Sequence, residues 1–107
     1  MHTPDLGSTE RVTVRIDRDF EDIVPNFLAN RRKDIHTLRH ALTSADFSII
    51  QMLGHRMKGD GGGYGFDRIS EIGGAMELAA IQKDHTAAEQ HIAQLEDFLA
   101  RLQVEYR

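Results

Sequence analysis

The chain has 107 residues, 40% of them hydrophobic and 28% charged, which is the composition of one soluble globular domain. Because there is no cysteine, the sequence excludes disulfides, Cys-ligated zinc and thiol catalysis. A formal net charge of −4 disfavours nucleic-acid binding, and no apolar run reaches the roughly 18–20 residues that a membrane span needs. The first residues also lack the basic and apolar regions of a signal peptide, so we expect a cytoplasmic domain that does not contact a membrane.

The N-terminal residues are not expected to be helical. Residues 1–10 are small and polar and are predicted to form a disordered tail, which leaves residues 11–107 as one domain. Val12–Ile16 alternates apolar and polar residues with the period of a strand. Since one strand cannot form a sheet, we predict an extended N-terminal arm on a helical body.

Two helices are predicted in the first half of the domain. The first runs from about Phe20 or Pro25 to about Leu42, because its apolar residues follow the helical repeat and proline is tolerated in a first turn. Good N-cap residues follow it, so a second helix is expected to start near Phe47.

Two further helices are predicted in the second half. The third follows Asp67 and ends near Lys83. The fourth is expected behind a capping box at Thr86 and Glu89, and its apolar residues continue at helical spacing to Tyr106. Four helices with short connections predict an all-α fold, an antiparallel four-helix bundle.

The glycine-rich residues 54–65 carry the chemistry. A phosphate-binding loop needs Lys and then Ser or Thr after its last glycine, whereas Lys58 precedes the glycine run. Apolar residues continue through the segment at helical spacing, so we interpret it as part of the second helix. His55 then lies about 155° from the centre of the core-facing stripe and is exposed. The residues expected around it are Gln51, Lys58, Gly59 and Gly62.

This spaced pattern resembles a known family. A histidine is followed by Lys-Gly, by a second glycine, and by apolar residues and an acid in the next helix; here these are His55, Lys58, Gly59, Gly65, Ile69, Ile72, Met76 and Glu77. The pattern is similar to that of the histidine-containing phosphotransfer (HPt) domains of multistep phosphorelays. One departure is the Asp-Gly-Gly-Gly run at residues 60–63, where the family usually has Ser or Ala.

The resemblance implies a function for His55. It would accept a phosphoryl group from an aspartyl-phosphate of a receiver domain and pass it reversibly to another receiver. Lys58 would neutralise phosphate charge, while Gln51, Gly59 and Gly62 would contact the partner. The protein would be a monomeric phosphocarrier and not an enzyme, with no ATP-dependent autokinase activity. It would hold no cofactor or metal of its own, because Mg²⁺ would belong to the receiver; a hybrid histidine kinase is a second candidate partner.

Glu77 is placed by the geometry of the predicted hairpin. If the second and third helices turn near Phe66, positions equally distant from the turn meet, and His55 and Glu77 are each eleven residues away. The resemblance implies that Glu77 hydrogen-bonds one imidazole nitrogen and leaves the other as the nucleophile. The alternative is an exposed helix carboxylate without a role.

Three other classes of protein also carry histidines on helices or in helical bundles. The phosphoacceptor domain of a sensor kinase normally has an acidic residue after its histidine, whereas Arg56 follows here. A metal-binding bundle would need Glu-x-x-His pairs, and His36 and His40 are interpreted as a solvated helix face. A non-catalytic helical interaction module, in which His55 is incidental, stays the alternative function.

Overall fold

The computed structural model describes residues 10–107. The elements in chain order are β1 (Val12–Ile16), a short 3₁₀ helix (Arg18–Phe20), α1 (Val24–Thr43), α2 (Phe47–Gly63), α3 (Asp67–Ile81), α4 (His85–Arg101) and β2 (Leu102–Tyr106). Helices α1 and α3 each contact both α2 and α4, so the four helices form a closed bundle. The predicted four-helix fold is therefore confirmed, with a small sheet added. The predicted disordered tail falls, apart from Glu10, outside the described residues.

The core of the bundle is apolar throughout. Every helix contributes large side chains that are fully buried, among them Leu38, Ile50, Ile72 and Leu95. Burying one such side chain stabilises the folded state by about 1.5–3 kcal/mol, so this burial is the main force that holds the helices together. In residues 10–107 the core contains no buried charged or polar residue, which leaves polar chemistry to the surface.

Helices α1 and α2 begin where the sequence predicts, α1 with a proline in its first turn and α2 after an N-cap residue. Of the two predicted starts of α1, the later one is right, because Pro25 lies in its first turn while Phe20 belongs to the preceding 3₁₀ helix. Helix α2 begins after Asp46, whose carboxylate accepts a hydrogen bond from the Ile49 N–H at 3.4 Å.

The prediction for the start of α4 was wrong by two residues. The N-cap is Asp84, whose carboxylate accepts a hydrogen bond from the Ala87 N–H at 3.0 Å. Thr86 and Glu89 therefore lie inside the helix and form no capping box at its start. Asp is as good an N-cap as Thr, and this one comes earlier in the chain.

Gly65 ends α2 and turns the chain into α3. The Phe66 N–H donates to the Gly61 carbonyl at 2.7 Å and the Gly65 N–H donates to the Gly62 carbonyl at 3.0 Å, which is a Schellman motif. Gly65 has φ +90°, a left-handed conformation that glycine adopts without strain. A Cβ at Gly65 would also lie 2.7 Å from the Ile16 side chain, so this position requires glycine.

A parallel two-stranded sheet closes the fold and corrects the prediction for the last helix. Helix α4 ends at Arg101, and residues 102–106 form β2, which pairs with β1 from Val12↔Leu102 to Ile16↔Tyr106. The predicted extended arm is thus a strand. Residues 102–106 also alternate apolar and polar residues, so their pattern fits a strand as well as a helix, and pairing with β1 selects the strand.

Candidate phosphoacceptor site

Helix α2 buries one face in the core and exposes His55 on the opposite face. Ile50, Leu53 and Met57 point into the core, while the His55 side chain is 68% exposed. The helix continues unbroken through the glycines to Gly63. The predicted placement of His55 on the exposed face is therefore what the structure shows.

Glu77 of α3 hydrogen-bonds the His55 ring across the hairpin. Glu77 Oε2 lies 2.8 Å from His55 Nδ1. An ionised carboxylate can only accept, so Nδ1 carries a proton, and in the neutral ring the lone pair is then on Nε2. The structure thus brings together the two residues that the hairpin geometry paired.

Lys58 shares the same carboxylate. Its Nζ lies 2.7 Å from Glu77 Oε1, so one carboxylate contacts the imidazole through one oxygen and the ammonium through the other. The hydrogen bond from Lys58 is the main cause that lowers the pKa of Glu77 below its ordinary value of 4.5, and the hydrogen bond to His55 acts in the same direction. The Glu77 side chain is only 16% exposed, whereas Lys58 is 51% exposed. Glu77 is therefore ionised at neutral pH, and its carboxylate lies between the His55 imidazole and the Lys58 ammonium.

The remaining predicted site residues differ in their surroundings. Gln51 is exposed and lines a shallow depression together with His55 and Glu77. Gly59 is exposed, and a Cβ there would have nothing within 4 Å among the described atoms. Gly62 is exposed and its N–H donates to the Ser70 hydroxyl at 2.7 Å. Gly65 lies at the hairpin turn, where its role is structural.

Apolar side chains lie exposed on the same part of the surface. Met52 lines the depression beside His55 and is exposed. Ile81 is exposed on α3 and lies one turn after Glu77 on the same helix face. The sequence pattern did not predict a role for these residues, although their apolar character at positions outside the core stripe of each helix was the available signal.

Asp60 lies apart from His55. It lines a different depression, formed with residues of α1 that include Asn26 and Asn30, beside Tyr64. Its carboxylate is therefore not part of the surface around the exposed imidazole.

The three consecutive basic residues of α1, residues 31–33, differ in their surroundings. Arg32 and Lys33 are exposed, as a solvated helix face would be. The Arg31 side chain is instead half-buried, with its guanidinium 4.8 Å from the centre of the Phe27 ring and 2.8 Å from Asp34. Arg31 therefore packs onto its own helix.

The part of the chain that the structure describes contains no group of three or more His, Asp or Glu that could hold a metal ion. Within the same residues, no helix combines the length and the apolar character needed to cross a membrane.

Comparison with known families agrees with this geometry. The family model described as Hpt domain matches residues 22–105, which is well over half of the chain. The chain belongs to the Hpt domain family. Membership implies a phosphotransfer-related role in phosphorelays: Hpt domains are phosphocarriers rather than enzymes, and they interact with response-regulator receiver domains. No curated protein and no solved structure matches the chain.

Proposed function

We propose that this Hpt domain relays a phosphoryl group between aspartyl residues of receiver domains through a phosphohistidine formed at Nε2 of His55. The observation that carries the proposal is the hydrogen bond from His55 Nδ1 to Glu77 at 2.8 Å on a side chain that is otherwise open to solvent. It leaves one nitrogen, Nε2, with a lone pair and free access for a partner.

The transfer step needs no proton from solvent. The Nε2 lone pair attacks phosphorus, the bond from phosphorus to the aspartyl oxygen breaks, and the carboxylate of the receiver leaves with the electron pair. Because Nδ1 keeps its proton, the ring becomes positively charged, and the Glu77 carboxylate stabilises that charge. The reverse step returns the ring to the neutral form, so the same arrangement supports transfer in both directions.

Lys58 supplies positive charge for the phosphoryl group. It lies one turn after His55 on α2, and half of its side chain is exposed. Phosphoryl transfer depends mainly on positioning and on neutralising the oxygens of the transferred group. In the structure Lys58 binds Glu77, so it would reach the phosphoryl group by rotating its flexible side chain away from that carboxylate.

The surface around His55 is suited to a receiver domain. Gly59 leaves open backbone on the C-terminal side of His55, where a partner's acidic pocket and its Mg²⁺ could approach closely; Gly62, further along the helix, has no side chain of its own but lies beside Ser70 and Asp67. On the other side, Gln51, Met52 and Ile81 offer polar and apolar contacts. We propose that receivers dock across both sides.

Several further properties belong to the same proposal. The domain would act as a monomer in the cytoplasm, and a hybrid histidine kinase is a second candidate partner. Mg²⁺ would be bound only by the receiver, and ATP would not phosphorylate the domain directly.

The test is phosphotransfer from a panel of radiolabelled, phosphorylated receiver domains to the wild type and to His55→Gln. The wild type is expected to acquire label that acid removes and base does not, while His55→Gln acquires none. His36→Gln is the matched control, because His36 is an exposed histidine on α1 and the same substitution there should leave labelling unchanged.

Equal labelling of the wild type and His55→Gln would contradict the proposal, and so would a wild type that no receiver labels. In either case the interaction-module interpretation gains support if a partner binds His55→Gln as tightly as it binds the wild type.

A further inference from the structure

Two glycines, Gly54 on α2 and Gly73 on α3, lie where these helices contact each other. Both are buried, and neither belongs to the motif that identifies the family resemblance. Gly54 directly precedes His55, and Gly73 lies one turn before Glu77, so each is close to the reactive residues without contacting solvent.

At both positions the neighbouring helix leaves no room for a side chain. A Cβ at Gly54 would lie 2.7 Å from the backbone nitrogen of Glu77 and 2.7 Å from the Gly73 carbonyl oxygen. A Cβ at Gly73 would lie 2.7 Å from the backbone nitrogen of Lys58 and 2.8 Å from the Gly54 carbonyl oxygen. Backbone atoms cannot swing aside as a flexible side chain does, so a methyl group at either position would push α2 and α3 apart.

The residues that these glycines touch are the two that hold the site together. Gly54 packs on the backbone of Glu77, and Gly73 packs on the backbone of Lys58. The Glu77 carboxylate reaches His55 at 2.8 Å and Lys58 at 2.7 Å, and both distances depend on how closely the helices approach. If α2 and α3 moved about 1 Å further apart, both contacts would exceed hydrogen-bond range.

We propose that Gly54 and Gly73 are positioning residues of the phosphoacceptor site, which set the helix separation that lets Glu77 bind His55 Nδ1 and Lys58 together. Their effect on transfer rests on the proposed function; their effect on the His55 ring does not. Replacing either glycine would free the imidazole from Glu77, and the proton would then distribute between Nδ1 and Nε2.

The experiment compares four alanine variants that differ in the space around the new Cβ. Gly54→Ala and Gly73→Ala meet backbone atoms. In Gly74→Ala the Cβ would lie 3.3 Å from Lys58 Cδ, part of a side chain that is able to shift. Gly63→Ala is the control, since a Cβ there has nothing within 4 Å among the described atoms.

The first readout is the ¹⁵N NMR spectrum of the His55 ring at a pH where the ring is neutral. In the wild type and Gly63→Ala we expect the single tautomer protonated at Nδ1, with Gly74→Ala close to them. In Gly54→Ala and Gly73→Ala we expect shifts averaged between the two tautomers. The second readout is the transfer rate from a phosphorylated receiver, which should fall on the order of tenfold or more in the same two variants.

A double variant separates positioning from general damage to the fold. If the glycines act through Glu77, adding Gly54→Ala to Glu77→Ala should lower the transfer rate no further than Glu77→Ala alone. Should Gly54→Ala fail to fold, Gly73→Ala meets the neighbouring backbone from the other helix and decides the question. If it too fails to fold, both variants are refolded in trimethylamine N-oxide, which favours the compact state, and the same spectrum decides: shifts averaged between the two tautomers support positioning, and a single tautomer protonated at Nδ1 overturns it.

Folded Gly54→Ala and Gly73→Ala proteins with the tautomer and transfer rate of Gly63→Ala would overturn the proposal. An additive loss of transfer in the double variant would also overturn it. Failure of the proposed function gives a different result, because a wild type that takes no phosphoryl group would still show whether the glycines control the His55 tautomer.

Discussion

Two helix pairs of the bundle, α2 with α3 and α1 with α4, share the apolar core but differ in how closely their backbones approach each other. Between α2 and α3, glycines bring one backbone against the other, as at Gly61, where a Cβ would lie 2.7 Å from the Ser70 backbone nitrogen. Between α1 and α4, the long side chain of Arg39 spans the gap and binds both Glu89 and Glu96. These hydrogen bonds, the one to Glu96 above all, raise the pKa of Arg39.

The two helix pairs differ in spacing because only α2 and α3 carry the residues of the candidate site. Short side chains on α2 and α3 fix the distance between them tightly, so a carboxylate on one helix reaches an imidazole on the other. The pair formed by α1 and α4 has only to stay packed, and a long charged side chain at its edge tolerates small changes in spacing. A substitution that adds volume should therefore affect the first pair more than the second.

We expect a substitution at Gly61 to lower stability more than one at Arg39 or Glu77. In Gly61→Ala, the contacts with Ser70 and with the Phe66 carbonyl cost about 1–3 kcal/mol. The better helix propensity of Ala offsets about 1 kcal/mol of this, so we expect a net loss of up to about 2 kcal/mol. Urea unfolding measures it.

Gly63→Ala is the matched control for this prediction. The same substitution on the same helix meets no atom within 4 Å among the described residues, so it should raise stability slightly. Opposite signs for the two variants are expected; a stabilised Gly61→Ala would show that α2 and α3 are not packed as tightly as described.

A smaller effect is expected at Arg39. Its side chain is 36% exposed, so the two ion pairs are screened by water and Arg39→Met should cost less than about 1 kcal/mol. The difference from the wild type should shrink in 1 M NaCl. The exposed residue Lys33 on the same helix provides the control Lys33→Met. A loss of several kcal/mol, or a loss of phosphotransfer in the folded Arg39→Met protein, would remove the distinction between the two pairs.

The smallest effect is the pH dependence of stability that Glu77 contributes. Its pKa is lowered in the folded protein, chiefly by the hydrogen bond from Lys58. Because the pKa is lowered, the contribution of Glu77 to the free energy of unfolding is complete above its ordinary pKa of 4.5. It is lost as the pH falls from 4.5 through the pKa of the folded protein.

The measurement compares the free energy of unfolding of the wild type and Glu77→Gln between pH 7 and pH 3. The wild type should lose more stability than the variant below pH 4.5, and Glu71→Gln on the exposed face of the same helix controls for the loss of one carboxylate. A difference between wild type and Glu77→Gln that stays constant over this range would contradict the assignment.

Much of the fold was predictable because the apolar residues repeat at helical spacing. The exposed position of His55 followed from the same repeat, since a residue opposite a buried stripe must face solvent. Glu77 was placed by the symmetry of a hairpin about Phe66. Each of these inferences used residues that are close in the sequence.

What could not be predicted depends on residues distant in the sequence. Nothing near residues 102–106 distinguishes a strand from the end of a helix, and the strand partner lies at the other end of the chain. The glycines of α2 weaken a helix when considered locally, and only the neighbouring α3 explains why Gly54 and Gly61 are there. Propensity is a local quantity, and packing against α3 overrides it here.

Two turns also departed from what their residues indicate. Ala45 and Lys83 both have φ +54°, although side chains other than glycine disfavour the left-handed region. Each directly follows the C-cap residue of a helix, and each precedes an Asp that caps the next helix. The close connection between consecutive helices imposes this backbone, and the sequence carries no glycine there to signal it.

The parallel pairing of β1 with β2 has a consequence for the order in which the domain assembles. The strands join residues some ninety positions apart, whereas the helix hairpins rest on contacts between neighbouring segments. Closing so long a loop costs conformational entropy before any strand contact forms, so we expect the sheet to form after the helices. We expect the last contact to form to be the first to open, so that hydrogen exchange would be faster in the paired strands than in the helices α2 and α3.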